Sequence, residues 1–232
     1  MNSYMDFTSP NVQFFYDLSQ NQTTKKDDRN YINALSVNQL NTLGNVSLLD
    51  IYLSKSNIVE PHIHQNASEL VYLVSGGAIV SLINPFTKKL INIPLAPGQV
   101  ANVPQGWWHY EIATTDDTHI LAIFDAPVPE FIAGSDLLRL TPASVFAHSY
   151  CLDERKVKEA FAPITDTVVI GPPAGCHSDV HPAPVKPHPQ AHRTPDANYY
   201  YAPAISQTAY DANEAASVYG NGWQGWRNRN PW

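Results

Sequence analysis

His62-Ile63-His64-Gln65-Asn66-Ala67-Ser68-Glu69 decides how this chain is read, together with Gly98 and Pro104-Gln105-Gly106-Trp107-Trp108-His109, where His109 stands forty residues beyond Glu69. In a β-strand, residues two apart point to the same face. His62 and His64 can therefore aim two imidazoles at one point. Glu69 opens the apolar run Leu70-Val71-Tyr72-Leu73-Val74 and can supply an oxygen from the next strand. His109 follows a Pro/Gly turn and starts a later strand. Three nitrogens and one carboxylate oxygen suit manganese, iron, zinc, nickel or cobalt, and leave coordination positions open for water or substrate. A buried imidazole–carboxylate cluster without a cation is costly. One divalent transition metal per chain is therefore expected on His62, His64, Glu69 and His109.

Working outward, residues 31 to 128 read as strands and turns. Ser47–Leu53, Glu69–Ser75, Ala78–Ile83, Leu90–Pro94, Val100–Val103, His109–Ala113 and His119–Phe124 are short and aliphatic, and Gly76-Gly77, Asn84-Pro85, Ala96-Pro97-Gly98 and Asp116-Asp117 punctuate them. Many short strands at regular spacing predict an all-β sandwich or barrel. Pro61 and Pro94 belong at strand ends or edges, because proline donates no ladder hydrogen bond. Glu111 follows His109 by two and shares its inward face if the strand continues. It is then a second carboxylate near the metal, a candidate catalytic general acid or base. Trp107 and Trp108 are read as packing at a barrel rim or a subunit contact, with a wall of the substrate pocket as the alternative, and His119 and His148 as structural histidines.

The two stretches resemble the motifs of the cupin superfamily. The first cupin motif is a Gly, His-x-His, three or four residues, Glu, six residues and Gly; His62, His64, Glu69 and Gly76 match all but the leading Gly. The second is Gly, five residues, Pro-x-Gly, two residues, His, three residues and Asn; Gly98, Pro104, Gly106 and His109 match, and Ala113 stands in place of the Asn. From about Val46 to Phe161 the chain is similar to one module of an oxalate decarboxylase or a germin-like protein. The resemblance implies a cupin jelly-roll (double-stranded β-helix) with short helices after the barrel. Those decarboxylases carry an Arg three residues before the first ligand His, and it grips the substrate carboxylate. Here that residue is Val59.

The flanks differ from the centre. Residues 1–30 read as an N-terminal arm, 31–165 as the cupin barrel with its helices, and 166–232 as a C-terminal tail rich in Pro, His, Tyr and Trp. Thr141-Pro142 predicts one helix start and Asp153-Glu154 another, with Val145, Phe146 and Tyr150 as the apolar face of the first. From residue 171 onward only Val180, Val185, Ile205 and Val218 are Ile, Leu, Val or Phe, so this segment builds no core of its own. Its eight Tyr and Trp side chains suit contact with another surface. His177, His181, His188 and His192 in it are read as solvated.

Composition narrows the function. A net charge of −7 disfavours nucleic acid and anionic membrane as partners. Cys151 and Cys176 are the only cysteines, which is no disulfide framework. No signal peptide or transmembrane run is visible, so the default location is cytoplasmic. Two function classes follow. One is an enzyme acting on a small carboxylate or other oxygenated metabolite, decarboxylase- or oxidoreductase-like, with Val59 arguing against oxalate itself. The other is a self-assembling structural subunit, for example of a shell or filament or, as the resemblance implies, of a spore layer, with the barrel as scaffold and the arms as contacts. A small-molecule sensor or storage cupin is a third option. The resemblance also implies a homo-oligomer, at least a dimer.

Overall fold

A computed structural model describes residues 5–176. The expectations for residues 177–232, including tail contacts and the four tail histidines, lie outside the described residues. Twelve strands run β1 (Gln22–Asp27), β2 (Asn30–Leu35), β3 (Ser47–Leu53), β4 (Ile58–Ile63), β5 (Glu69–Ser75), β6 (Ala78–Asn84), β7 (Lys89–Leu95), β8 (Val100–Val103), β9 (His109–Ala113), β10 (Thr118–Phe124), β11 (Ile132–Ala133) and β12 (Ile170–Gly171). Three helices, α1 (Gly134–Leu140), α2 (Ala143–Tyr150) and α3 (Glu154–Phe161), fall between β11 and β12. One sheet has the order β1-β2-β3-β10-β5-β8; the other has β11-β4-β9-β6-β7, with β12 paired to β4. All pairings are antiparallel. This is the jelly-roll expected from the sequence, with its post-barrel helices.

Alternation builds the core. In β10, Thr118, Ile120, Ala122 and Phe124 are buried while the residues between them are partly exposed. In β5, Glu69, Val71 and Leu73 turn inward and Leu70 and Val74 turn out. Ile51, Leu53, Val71, Leu73, Val80, Ile120 and Phe124 lie between the two sheets, each nearly inaccessible. Burying a side chain of this size stabilises by about 1.5–3 kcal/mol.

One departure from simple alternation positions the site. Val59 pairs with Glu111 and His62 with His109, so β4 spends three steps where β9 spends two. The extra residue is a bulge around Glu60-Pro61, and it accommodates a proline with no ladder donor. It also places Val59 on the same inward side as His62. Pro94 lies in β7, the edge strand of its sheet, where a missing donor faces no partner.

The barrel draws in more chain than the boundaries at 30 and 165 allow. Residues 22–27, read as arm, form β1 against β2. Ile170–Gly171, read as tail, returns to pair with Val59 and Ile58 on β4. β1 is too polar to announce a strand and is recruited by an unpaired edge, whereas β12 ends the β-branched run Val168-Val169-Ile170, a strand signal that sequence reading missed. The helices begin earlier than expected, because α1 starts at Gly134 with no side-chain cap. Asp153 caps α3 by accepting from the Lys156 amide at 3.0 Å, as its sequence signals. In α2, Phe146 packs edge-to-face on Phe161, with ring centroids 5.5 Å apart, whereas Val145 and Tyr150 remain exposed. Among the described residues no helix is long and apolar enough to cross a membrane.

Candidate metal centre

Two turns and one strap hold the site residues. Gly98 (φ +86°) and Gly106 (φ +79°) are the third residues of turns closed by Gln99 N–H to Ala96 O at 3.0 Å and by Trp107 N–H to Pro104 O at 3.1 Å. A positive φ at that position is the type II turn, which favours glycine. The Gly106 amide also donates to the His64 carbonyl at 2.9 Å, and Gln105 Nε2 donates to the Gln65 carbonyl at 2.7 Å. The Pro-Gln-Gly turn thus fastens one half of the site to the other. The residues between His64 and Glu69 are tied as well. Ser68 donates from its amide and hydroxyl to the Asp125 carboxylate at 2.8 and 2.6 Å, and Asn66 brackets the backbone at Val128 and Glu130.

Within that frame His62, His64, Glu69 and His109 come together. One donor atom from each lies within 4.8 Å of all the others, and all four side chains are buried. Each imidazole is anchored through Nδ1 to a main-chain carbonyl. His62 donates to Glu60 O at 2.6 Å, His64 to Glu130 O at 2.8 Å and His109 to Trp107 O at 2.8 Å. Such bonds fix ring orientation and turn Nε2 toward the ligand position. The Nε2 atoms of His62 and His64 face each other at 3.1 Å. Two lone pairs at that separation repel unless a cation or proton lies between them. His109 Nε2 meets Glu69 Oε2 at 2.8 Å, and His64 Nε2 lies 3.5 Å from the same oxygen.

Electrostatics agree with this geometry. Burial, reinforced by His109, pushes the His62 pKa down to about 3, and burial lowers that of His64 too, so both rings are neutral donors at neutral pH. Burial alone would raise the Glu69 carboxyl, but the His109 hydrogen bond and the neighbouring imidazoles hold it low. Burial opposes charge on His109, yet the Glu69 hydrogen bond and the charges of Glu111 and Glu69 lift its pKa to about 9. In the metal-free cluster His109 thus keeps a proton that a divalent cation would displace. Three imidazole nitrogens and one carboxylate oxygen, converging and already oriented, fit a transition-metal ion.

Glu111 lies where the strand period places it, two residues from His109 and buried, with Oε1 3.8 Å from His109 Nε2. Burial and the Glu69 charge push its carboxyl pKa up to about 8. A cavity of about 60 Å³ adjoins His62 and His64, lined otherwise by Ile32, Leu49, Val59, Glu60, Phe131 and Val169. Its walls are almost wholly apolar, and Phe131 meets the His62 ring edge-on at 6.2 Å between centroids. Glu60 is occupied elsewhere. It accepts from the Ser135 amide (2.8 Å), the Ser135 hydroxyl (2.8 Å) and the Val169 amide (2.9 Å). It thereby joins α1 and the returning C-terminal segment to the bulge that carries His62. Sequence reading missed Glu60, whose partners lie far along the chain. Trp107 packs on the core beside Phe86, as a rim residue would.

Fold and site together define a jelly-roll barrel with a buried three-histidine, one-glutamate cluster. The Cupin family model matches residues 18–158, more than half of the chain, and the chain belongs to that family. Among curated relatives, it is 28% identical over 158 residues to a probable germin-like protein, subfamily 2 member 5, of Arabidopsis thaliana, covering 65% of this chain and 72% of that one. Several solved structures share the fold. Oxalate decarboxylase from Bacillus subtilis superposes with a TM-score of 0.61 at 20% identity, covering 75% of this chain and 46% of that chain. An oxalate oxidase superposes with a TM-score of 0.61 at 15% identity, covering 69% of this chain and 86% of that chain. The chain thus spans less than half the length of the decarboxylase.

Proposed function

We propose that this protein is a metal-binding cupin in which His62, His64, Glu69 and His109 hold one divalent transition ion, manganese foremost, that acts on a small oxygenated ligand. The observation that carries the reading is the convergence of three Nε2 atoms and one carboxylate, with every Nδ1 anchored to the main chain. A bound ion polarises an oxygen it touches, the chemistry that decarboxylation and oxidation of small acids require. The adjoining cavity, about 60 Å³, is small and favours a small ligand. Its walls present no cation. Val59 stands in the wall where a guanidinium would grip a second carboxylate. A small acid with one carboxylate or oxygen-bearing end therefore suits the site better than oxalate.

The test pairs two assays on the manganese-loaded protein. Formate or acetate is expected to alter the manganese EPR spectrum, whereas oxalate turnover is expected to be weak or absent and to rise in Val59→Arg. Rapid metal-dependent release of carbon dioxide from oxalate by the wild type would contradict the substrate reading. An EPR spectrum indifferent to every small acid would remove the enzyme reading.

A second reading, a self-assembling structural subunit, draws on the exposed apolar residues. Phe7, Phe14 and Phe15 of the N-terminal segment are more than half exposed, as are Leu140, Tyr150 and Leu152 of the helical region. These patches suit a homo-oligomer, at least a dimer. Light scattering across a concentration series tests it: a chain that stays monomeric contradicts assembly.

A further inference from the structure

Glu111 is 1% exposed, and its Oε1 has no hydrogen-bond partner. Among the described residues it is the only fully buried side-chain nitrogen or oxygen left so. The other buried carboxylates are all satisfied. Glu60 accepts three donors, Glu69 accepts from His109, and Asp50 accepts from Asn33 and His119. Its cross-strand neighbours offer nothing polar from their side chains: Val59 lies opposite on β4 and Val80 opposite on β6. Native proteins rarely tolerate such an orphan, and one that persists points to an ion or a function. A purely structural role explains little, because the side chain makes no hydrogen bond and its charged contact is with the ligand His109, at 3.8 Å. A direct proton-transfer role meets a geometric objection, since Glu111 is not among the residues that line the cavity beside His62 and His64.

We infer that Glu111 is the second carboxylate of the metal centre, completing the charge balance of the bound divalent ion from the interior side of the barrel. The inference rests on the metal-binding reading above. Three neutral imidazoles and Glu69 leave one positive charge on a divalent ion inside a low-dielectric barrel. A net buried charge is expensive. Glu111 supplies the missing negative charge. It shares the inward face of β9 with His109, and its Oε1 stands 3.8 Å from His109 Nε2, the atom turned toward the ligand position. The same residue that is a liability without metal becomes a stabilising group with it. Glu111 thus couples metal occupancy to the comfort of the core, and favours a dipositive over a monopositive ion.

The test uses the full chain with Glu111→Leu and Glu111→Gln, reading two properties that a packing role would move together. Manganese affinity, measured by competition with a chelator, is expected to fall on the order of 10–100-fold in both variants. The thermal midpoint of the metal-free protein is expected to hold or rise in Glu111→Leu, because the orphaned group is gone. If Glu111→Leu does not fold, Glu111→Gln alone decides, since it keeps the shape and removes only the charge. Wild-type affinity in Glu111→Gln would overturn the inference while leaving the four-residue site intact. A wild-type protein that binds no divalent metal would instead overturn the metal reading itself.

Discussion

Among the described residues, two short histidine–carboxylate contacts of nearly equal length do different things. Inside the barrel His109 Nε2 and Glu69 Oε2 are 2.8 Å apart. On the outer face of the six-stranded sheet led by β1, His119 Nε2 and Asp50 Oδ1 are 2.6 Å apart. The outer pair is flanked by rings. His119 stacks on Tyr52 at 4.3 Å, and Tyr52 stacks on Tyr31 at 4.7 Å. These are cross-strand neighbours on three adjacent strands, where such contacts knit a sheet together. The inner pair is joined by two more histidines whose Nε2 atoms converge on the same point. The His119 side chain keeps 22% of its surface, whereas that of His109 has none. Residue type and distance therefore do not make a metal centre. Convergence of several donors, with their far sides anchored and water excluded, does.

The largest expected contrast is in metal binding. Glu69→Ala should weaken manganese affinity by at least about 100-fold, since even partners behind the ligands are commonly worth about 10–100-fold. Asp50→Ala should leave it unchanged. Chelator competition on both variants reads this directly, and equal losses would break the comparison.

A smaller contrast is in stability. Asp50→Ala strips the partner from the buried Asn33 amide, which donates to Asp50 Oδ2 at 3.1 Å. An unpartnered buried polar group costs about 1–3 kcal/mol. Denaturant titration should show that loss with metal content intact. If the midpoint does not move, the outer pair has no structural weight.

The smallest effect belongs to His119→Ala, which removes a partly exposed ring, its hydrogen bond to Asp50 and its stacking on Tyr52. The expected cost is about 1 kcal/mol. A loss of bound metal in this variant would mean that the two faces of the sheet are linked in a way the packing does not provide.

Much of the centre was legible because it depends on local periods. His62 and His64 share a face by strand alternation, and so do His109 and Glu111. The glycines at 98 and 106 mark turns that require a positive φ. The Pro-Gln-Gly spacing carries the turn that bonds back to His64. What escaped reading depends on partners far along the chain. Glu60 finds Ser135 and Val169, 75 and 109 residues away, and no window of sequence contains that. The bulge at Glu60-Pro61 is set by pairing with β9. The polar β1 exists because an edge was available to it, whereas Val168-Val169-Ile170 of the β12 segment was a readable β-branched signal. Phe146 was correctly placed on an apolar face, but Val145 and Tyr150 were not, because α2 packs chiefly through a single ring pair on α3. Glu111 was readable as inward-facing; that its oxygen has no partner was not, since that depends on every neighbour at once.

The central claim is that His62, His64, Glu69 and His109 hold one ion, and elemental analysis tests it most directly. Wild-type protein purified without chelator, compared with the His62→Ala/His64→Ala double variant, is expected to carry close to one divalent transition-metal ion per chain. The double variant should be nearly empty, although folded by circular dichroism. Full metal occupancy in the folded double variant would contradict the account.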